Sequence, residues 1–514
     1  MVTRIRQEGF RDSKVMEIAS GLTDGIGPRL TGSPNMKRAN EWTRAKLAEW
    51  GLANAHLESW GPFGRGWSCE SVSVRMTSPD VAQLLGIPKA WSPGTDGPVR
   101  GKAVLAKLAT KEDLEKQKGK LAGRIVLTEE MREVKPQERA ALERYDEKSL
   151  EKVWEYQVPP ARTPFSPEEF RRRREFRRAL NAFLEQEKPL AVIDPGALDG
   201  GTFRVQQGGS YRNGEPIGVP ALVMAIENYG RIARLLEQKK DVELEIDVKT
   251  RFYDDDPMSY NTVAEIPGTD RTGEIVMLGG HMDSWHAGTG ATDNAAGIAV
   301  AMEAVRILEA LGARPRRTIR IALWSGEEQG LLGSEAYMMQ HFATRPIPTD
   351  PKERENFSLR RAPGPLTIKP EHAKLSAYFN VDNGTGKIRG IYAQENSAVV
   401  PIFERWLEPL KDLGATTVTM RNTRGTDHVS FDAVGLPAFQ FIQDEVEYDT
   451  RTHHTNQDVY ERLQREDLMQ ASVVLATFVW QAAMRDARLP RKPLPKENPR
   501  PTPTPRAVGE KREG

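Results

Sequence analysis

A histidine and a carboxylate stand two residues apart in Gly279-Gly280-His281-Met282-Asp283-Ser284-Trp285, and a further carboxylate follows in Asp293-Asn294. An imidazole at a strand end can ligate a metal ion while a carboxylate two residues on orients it. Taken alone a His-x-Asp is usually a chance match, so its weight comes from what recurs downstream. Ser325-Gly326-Glu327-Glu328-Gln329-Gly330 carries two adjacent carboxylates, Asp382-Asn383-Gly384 another, and His453-His454-Thr455-Asn456-Gln457-Asp458 a pair of imidazoles. Two imidazoles and three carboxylates, one of them bridging, would hold two divalent cations. Nitrogen and oxygen donors without thiolate suit zinc, with cobalt or manganese as substitutes. In the Glu327-Glu328 pair one carboxylate can ligate while its neighbour stays free as a general base.

These residues need elements that bring them to one place. Ile275-Val276-Met277-Leu278, between Gly273 and Gly279, has the length and composition of a strand buried on both faces. Runs at 318–324, 375–381 and 437–442 read the same way. Each apolar run ends in, or leads shortly to, a carboxylate or imidazole. After the first, Asp293 opens a helical pattern with Ile298, Met302, Val305 and Leu308 on one face and Glu303 and Arg306 off it. The class is α/β, and open α/β sheets bind ligands beyond the carboxyl ends of their strands.

Six stretches then fall into a recognisable order: Asn261-Thr262-Val263-Ala264-Glu265-Ile266; Gly280 to Trp285; Trp324 to Gly330; Asp382-Asn383-Gly384-Thr385; Gly425-Thr426-Asp427-His428 with Gly435-Leu436-Pro437; and His453 to Asp458. Together they resemble the co-catalytic di-zinc exopeptidases, the family of leucyl-type aminopeptidases and carboxypeptidase Q-like enzymes, over most of residues 15–485. The resemblance implies a zinc-exopeptidase three-layer fold with a mixed, mostly parallel central sheet, and two Zn²⁺ per chain. One zinc would be held by His281, Asp293 and Asp382, the other by Glu328, His454 and the shared Asp293. Glu327 would be the general base and Asp283 would orient His281. His454 is preferred to His453 because it precedes Thr455 and stands four before Asp458, as the family's ligand does. The residue after the bridging aspartate, often acidic in the family, is Asn294 here, which leaves the ligand set intact. As in relatives, the Asp293–Asn294 peptide is expected to be cis.

At 514 residues the chain exceeds what one hydrophobic core usually supports. We expect a peptidase domain in two segments, 1–94 and 241–488, an insert at 95–240 and a disordered tail at 489–514. Residues 13–50 read as helices around Gly25-Ile26-Gly27-Pro28-Arg29-Leu30-Thr31-Gly32-Ser33, which lacks the Gly-Lys-Ser/Thr ending of a phosphate loop and reads as a turn. Strands are expected at 71–75 and 81–85. The insert shows short β-type runs at 101–106, 123–127, 190–193 and 219–224. It looks like the β-rich protease-associated domain found in many of these peptidases. Its charged part, 130–188, holds a capping box at Ser166-Pro167-Glu168-Glu169. The helix that follows has Phe176, Leu180, Phe183 and Leu184 on one side and arginines elsewhere. It reads as a solvated insertion in preference to an arm that contacts a partner or narrows the cleft. A final helix is expected at 465–483, followed by a proline-rich tail that cannot bury an apolar face.

Composition sets bounds on function. Hydrophobic residues make up 38% and charged residues 28%, ordinary for a globular protein. A net charge of +1 gives no argument for nucleic acid or an anionic membrane surface. The longest apolar helix is too short and interrupted to span a bilayer, and the single Cys69 forms no internal disulfide. The first residues carry no apolar leader; relatives are often exported, so export is expected if a leader was removed and a cytoplasmic location otherwise. Carboxypeptidase Q-like relatives are dimeric, so a homodimer is one expectation; the substrate is a peptide. A ligand-free binding module on the same fold is disfavoured because no ligand is lost. A glutaminyl-cyclase-like enzyme is disfavoured because such relatives bind one zinc and lack the insert. Trp285 and His428 are candidate pocket residues, and His286 reads as a loop histidine. The Asn383-Gly384-Thr385 sequon adjoins a ligand and reads as chance. Arg421 and Arg424 are the cations that could pair a substrate carboxylate. Otherwise, anchoring of a free α-amino group places cleavage at the N-terminal bond.

Overall fold

The computed structural model describes residues 1–138, 140–156, 167–350, 354 and 357–495. Ser166, which opens the expected capping box, and the tail beyond 495 lie outside them. At the centre of an eight-stranded sheet, the strands Arg317–Trp324, Arg271–His281, Leu375–Asn380 and Ala438–Gln443 run parallel side by side. Ser259–Ile266 and then Ala53–Trp60 extend one edge antiparallel. Ile388–Tyr392, antiparallel to its neighbour, and Thr417–Thr419 extend the other. Alternate side chains of the central strands enter two apolar layers. Val276, Leu278, Ile319, Ile321 and Phe379 pack with the helices Val15–Thr23, Ala296–Ala310 and Arg465–Met484. Met277, Ala322, Trp324 and Tyr378 pack with Leu332–His341 and His428–Asp432. A parallel strand covered on both faces has no polar side, which is why these segments read as unbroken apolar runs.

Register brings the chemistry together. His281 pairs with Trp324, and Gly279 with Asn380, so the strand ends preceding Glu327 and Asp382 lie level with the histidine. Gly279 is required for this close approach, since a Cβ there would meet the Ala322 carbonyl at 1.8 Å.

The helix after the first ligand strand starts later than its pattern suggests. Asp293 (φ −128°, ψ 87°) and Asn294 are non-helical, and regular helix begins at Ala296. The helix is also buried nearly all round, because the N-terminal helices and Arg465–Met484 cover its outer side. Glu303, expected off the core face, is fully enclosed and neutralised by Arg306 at 2.7 Å.

A second eight-stranded sheet comes wholly from residues 66–253. Its order is Ala82–Gln83, Gly66–Ser78, Glu243–Tyr253, Val99–Leu105, Ile125–Leu127, Ala191–Pro195, Ala221–Met224 and Gly86–Pro88. The strands expected at 71–75 and 81–85 therefore belong to this sheet, where Gly66–Ser78 pairs along its length with Glu243–Tyr253. The run from Val99–Leu105 to Ala221–Met224 is parallel, giving the insert α/β character. Ile226–Glu237 covers one face. Pro167–Glu187 covers another part of it, with Leu184 buried and Phe176, Leu180 and Phe183 packed beside it. That helix is docked by its apolar side; it is not a free-standing solvated arm. The two connections to the peptidase part lie together, with Phe63 N–H donating to the Pro257 carbonyl at 2.7 Å. Toward the C-terminus, 489–491 is held against the peptidase part: Leu489 is 3% exposed, and Arg491 donates to the carbonyls of His372 and Leu375. Among the described residues no helix is long and apolar enough to cross a membrane.

Candidate metal centre

Asp293 lies between two donor groups. Its Oδ1 is 3.2 Å from His281 Nε2, which is also 3.2 Å from Asp382 Oδ1. Its Oδ2 is 3.2 Å from His454 Nε2, which is 2.9 Å from Glu328 Oε2. The ligand atoms of His281, Asp293 and Asp382 fall within 4.8 Å of one another. All five residues proposed from the sequence as ligands thus converge, with the aspartate facing both ways. The neighbouring His453 is less well placed, its Nε2 3.9 Å from Asp293 Oδ2 and its ring stacked on Tyr448.

The donor set fits divalent cations. Asp293 Oδ2 and Glu328 Oε1 are buried without a hydrogen-bond partner, a costly state for a carboxylate oxygen unless a cation faces it. Burial pushes the Glu328 carboxyl up to about 7, with His454 opposing and Asp293 adding to the rise. Burial also drives Glu327 well above the usual carboxylate range; His281 opposes it, while Asp382, Glu328 and Asp427 reinforce it. Burial would likewise raise Asp293, but His281 and His454 outweigh it and hold the group well below its ordinary value. The histidines are pushed down by burial and then carried well above their ordinary value, His281 chiefly by Asp382 and His454 chiefly by Glu328. Such an excess of enclosed negative charge is relieved by bound cations.

Around these groups is a shell that holds the loops. His281 Nδ1–H donates to the main-chain carbonyl of Asp283 at 3.0 Å, while the Asp283 carboxylate lies 3.7 Å away. That carboxylate instead accepts from the backbone N–H groups of Glu327 (3.1 Å) and Glu328 (3.2 Å), and from Thr31 Oγ1 at 2.9 Å. Asp283 therefore fixes the Glu-Glu pair with its side chain and His281 with its carbonyl. Asp458 accepts from Thr292 N–H (2.6 Å) and Asp293 N–H (3.2 Å), anchoring the turn that carries the bridging aspartate. The Asp293–Asn294 peptide in that turn is cis. Arg29, fully buried, donates to the carbonyls of Met282 (2.8 Å), Thr289 (2.7 Å) and Gly290 (2.7 Å). It thus spans the loop between His281 and Asp293. Arg29, Thr31 and Asp427 were not singled out as site residues from the sequence. The only signal for the first two was a basic and a hydroxyl residue within a glycine-rich turn. Asp427 is fully buried, and burial lifts it to about 7.

Other sequence candidates have structural roles. His428 is enclosed, with Nε2 against the Thr423 carbonyl and Gln394. His286 donates to the Pro88 carbonyl at 2.7 Å and meets the Trp67 ring edge-on. Trp285 packs among Trp60, Phe63, Trp91 and Tyr211, its ring edge-on to His454 at 6.2 Å. Asn383 donates its amide to the Phe441 carbonyl at 3.2 Å. Arg421 is engaged by the carbonyls of Lys152 and Glu155 at the end of the helix Glu147–Trp154, and Arg424 is exposed.

Residues 261–479 match the model of peptidase family M28. That stretch carries all five candidate ligands, and the chain is a metallo-exopeptidase. It is similar to mouse carboxypeptidase Q, with 25% identity over 91% of this chain and 86% of that protein. The fold matches a peptidase M28 precursor from Shewanella amazonensis (TM-score 0.65, 24% identity, covering 96% of this chain and 98% of the other). It also matches a zinc aminopeptidase from Bacillus subtilis (TM-score 0.54, 18% identity, 92% and 95% covered).

Proposed function

We propose that this M28 peptidase is a two-zinc enzyme that hydrolyses the N-terminal bond of dipeptides and short peptides. The observation that carries the reading is the two-way placement of Asp293 between His281–Asp382 and His454–Glu328. His281, Asp293 and Asp382 would hold one zinc, and Glu328, His454 and Asp293 the other. When bound, the ions supply Lewis acidity to a water nucleophile and to the scissile carbonyl. Glu327 is the base: its carboxylate takes the proton from the attacking water and passes it to the leaving amine. Asp283 holds the Glu327 backbone, so base and ligand at 327 and 328 move as one unit. The inserted sheet is read as a protease-associated domain, and a homodimer remains the expected assembly.

A carboxypeptidase needs a side chain free to pair a substrate carboxylate. Arg421 is committed to helix carbonyls, which weakens its candidacy. Anchoring of a free α-amino group is the reading adopted, although the similar proteins of mouse, rat and cattle are named carboxypeptidase Q and Arg424 is exposed. A panel of blocked dipeptides decides it. N-acetylation is expected to lower kcat/KM by orders of magnitude and C-terminal amidation to change it little; the reverse pattern would establish a carboxypeptidase.

A further inference from the structure

The loop that follows the strand Ala438–Gln443 and ends in the two histidines is gripped at both ends by the inserted domain. At its start, Glu143 and Val446 exchange backbone hydrogen bonds at 2.8 Å each, and Tyr145 N–H donates to Asp444 Oδ1 at 2.9 Å. At its end, residues 203–206 run alongside 453–456. Val205 N–H donates to the His454 carbonyl at 3.2 Å, Arg204 Nε to the His453 carbonyl at 3.2 Å, and Phe203 N–H to Asn456 Oδ1 at 2.9 Å. Between these contacts His454 holds a φ of +63°, a left-handed conformation that a non-glycine residue keeps only where its surroundings over-determine it.

The last member of this seam reaches the imidazole itself. The side-chain amide nitrogen of Gln206 lies 3.0 Å from His454 Nδ1, while Nε2 of the same ring points at Glu328 and Asp293. A neutral imidazole that ligates through Nε2 carries its proton on Nδ1, and that N–H requires an acceptor. Amide oxygen and nitrogen are interchangeable by a half-turn, and the hydrogen-bond network decides between them. A protonated Nδ1 selects the orientation that presents the oxygen. We propose that Gln206, carried by the inserted domain, is a positioning residue of the metal centre. Its Oε1 accepts from His454 Nδ1–H and so fixes the tautomer and direction of the ring. The insert is then part of the metal site as well as a neighbour of the cleft. The proposal rests on His454 being a ligand.

The test measures zinc affinity in the full chain by competition with a chromophoric chelator, for Gln206→Ala, Gln206→Met, Gln206→Glu and His454→Ala. Gln206 is exposed, so its replacements leave the core intact, and thermal melting of each variant checks this. Gln206→Ala and Gln206→Met are expected to weaken one of two zincs by about 10–100-fold and to leave the other unchanged. Gln206→Glu, which keeps an acceptor, is expected to hold that zinc at least as tightly as the parent. His454→Ala is expected to lose the same zinc outright. If His454→Ala loses one zinc while Gln206→Ala binds both within about twofold of the parent, the positioning role is overturned and the ligand assignment stands. If His454→Ala retains both zincs, the ligand assignment fails, and the role of Gln206 with it.

Discussion

Replacing Arg29 by methionine tests whether the loop between His281 and Asp293 depends on one buried cation. The guanidinium donates short hydrogen bonds to three carbonyls of that loop, those of Met282, Thr289 and Gly290. A hydrogen bond from a charged donor contributes about 1.5–3 kcal/mol, so the three together contribute about 4.5–9 kcal/mol. Burial works against the cation and pulls its pKa down from 12.5 to about 10, despite the opposing influence of Asp458, Asp283 and Asp293. At about 1.4 kcal/mol per pKa unit, methionine recovers about 3 kcal/mol by removing a charge from the interior. The net loss is about 1–6 kcal/mol. Urea unfolding of the zinc-loaded variant, followed by tryptophan fluorescence, measures it, and chelator competition reads zinc affinity in parallel. Arg29→Lys should recover less than half, because one ammonium cannot reach three divergent carbonyls in the fork geometry of a guanidinium. A methionine variant within about 0.5 kcal/mol of the parent, with both zincs retained, would refute the reasoning.

Glu327→Gln is expected to keep both metals and lose at least about 10²-fold in kcat, as read by metal analysis and single-turnover rates; near-normal turnover would remove Glu327 as the base. Asp293→Asn should weaken both zincs, whereas Asp382→Asn should weaken only the one at His281; equal behaviour in a metal titration would contradict the bridging geometry. Burial depresses His428 to about 4. The unfolded chain therefore binds an extra proton between about pH 4 and 6.5, and the contribution of this residue, present above 6.5, is lost as pH falls through that window. The loss at pH 5 is about 2 kcal/mol, and His428→Asn should flatten the stability–pH slope between pH 5 and 6 by most of one proton; unchanged slopes would show that the imidazole titrates normally.

The ligand strands were legible because parallel strands enclosed on both faces leave unbroken apolar runs with abrupt polar ends. His281, Glu328 and Asp382 were legible as candidate ligands because they stand at or just beyond those ends, and Asp293 and His454 because they lie in the segments that follow. The insert was less so. Gly66–Ser78 is mostly polar, and its partner Glu243–Tyr253 signals itself only by Leu244, Ile246 and Val248 at alternate positions. The two strands are joined by long-range pairing, which local composition does not encode. The start of the helix at Ala296 was displaced because Asp293 is held by Asp458 in a non-helical turn. Gln206 and Arg29 act through contacts made 248 and more than 250 residues away, respectively, and no local pattern announces such partners. For Arg421 the surprise ran the other way: a cation that looked available is spent on Lys152 and Glu155.

The order of the two sheets along the chain has a bearing on synthesis. The second sheet is self-contained, because its first long strand and its last, Gly66–Ser78 and Glu243–Tyr253, pair with each other. Once residue 253 is made every strand of that sheet has been synthesised, while Ala53–Trp60 still waits for Ser259–Ile266 and none of the five candidate zinc ligands has been made. Domains emerging first can fold as units during elongation. The insert can thus stand complete as a template, with Glu143 and the 203–206 segment in place, when the histidine loop arrives some two hundred residues later to be shaped against it.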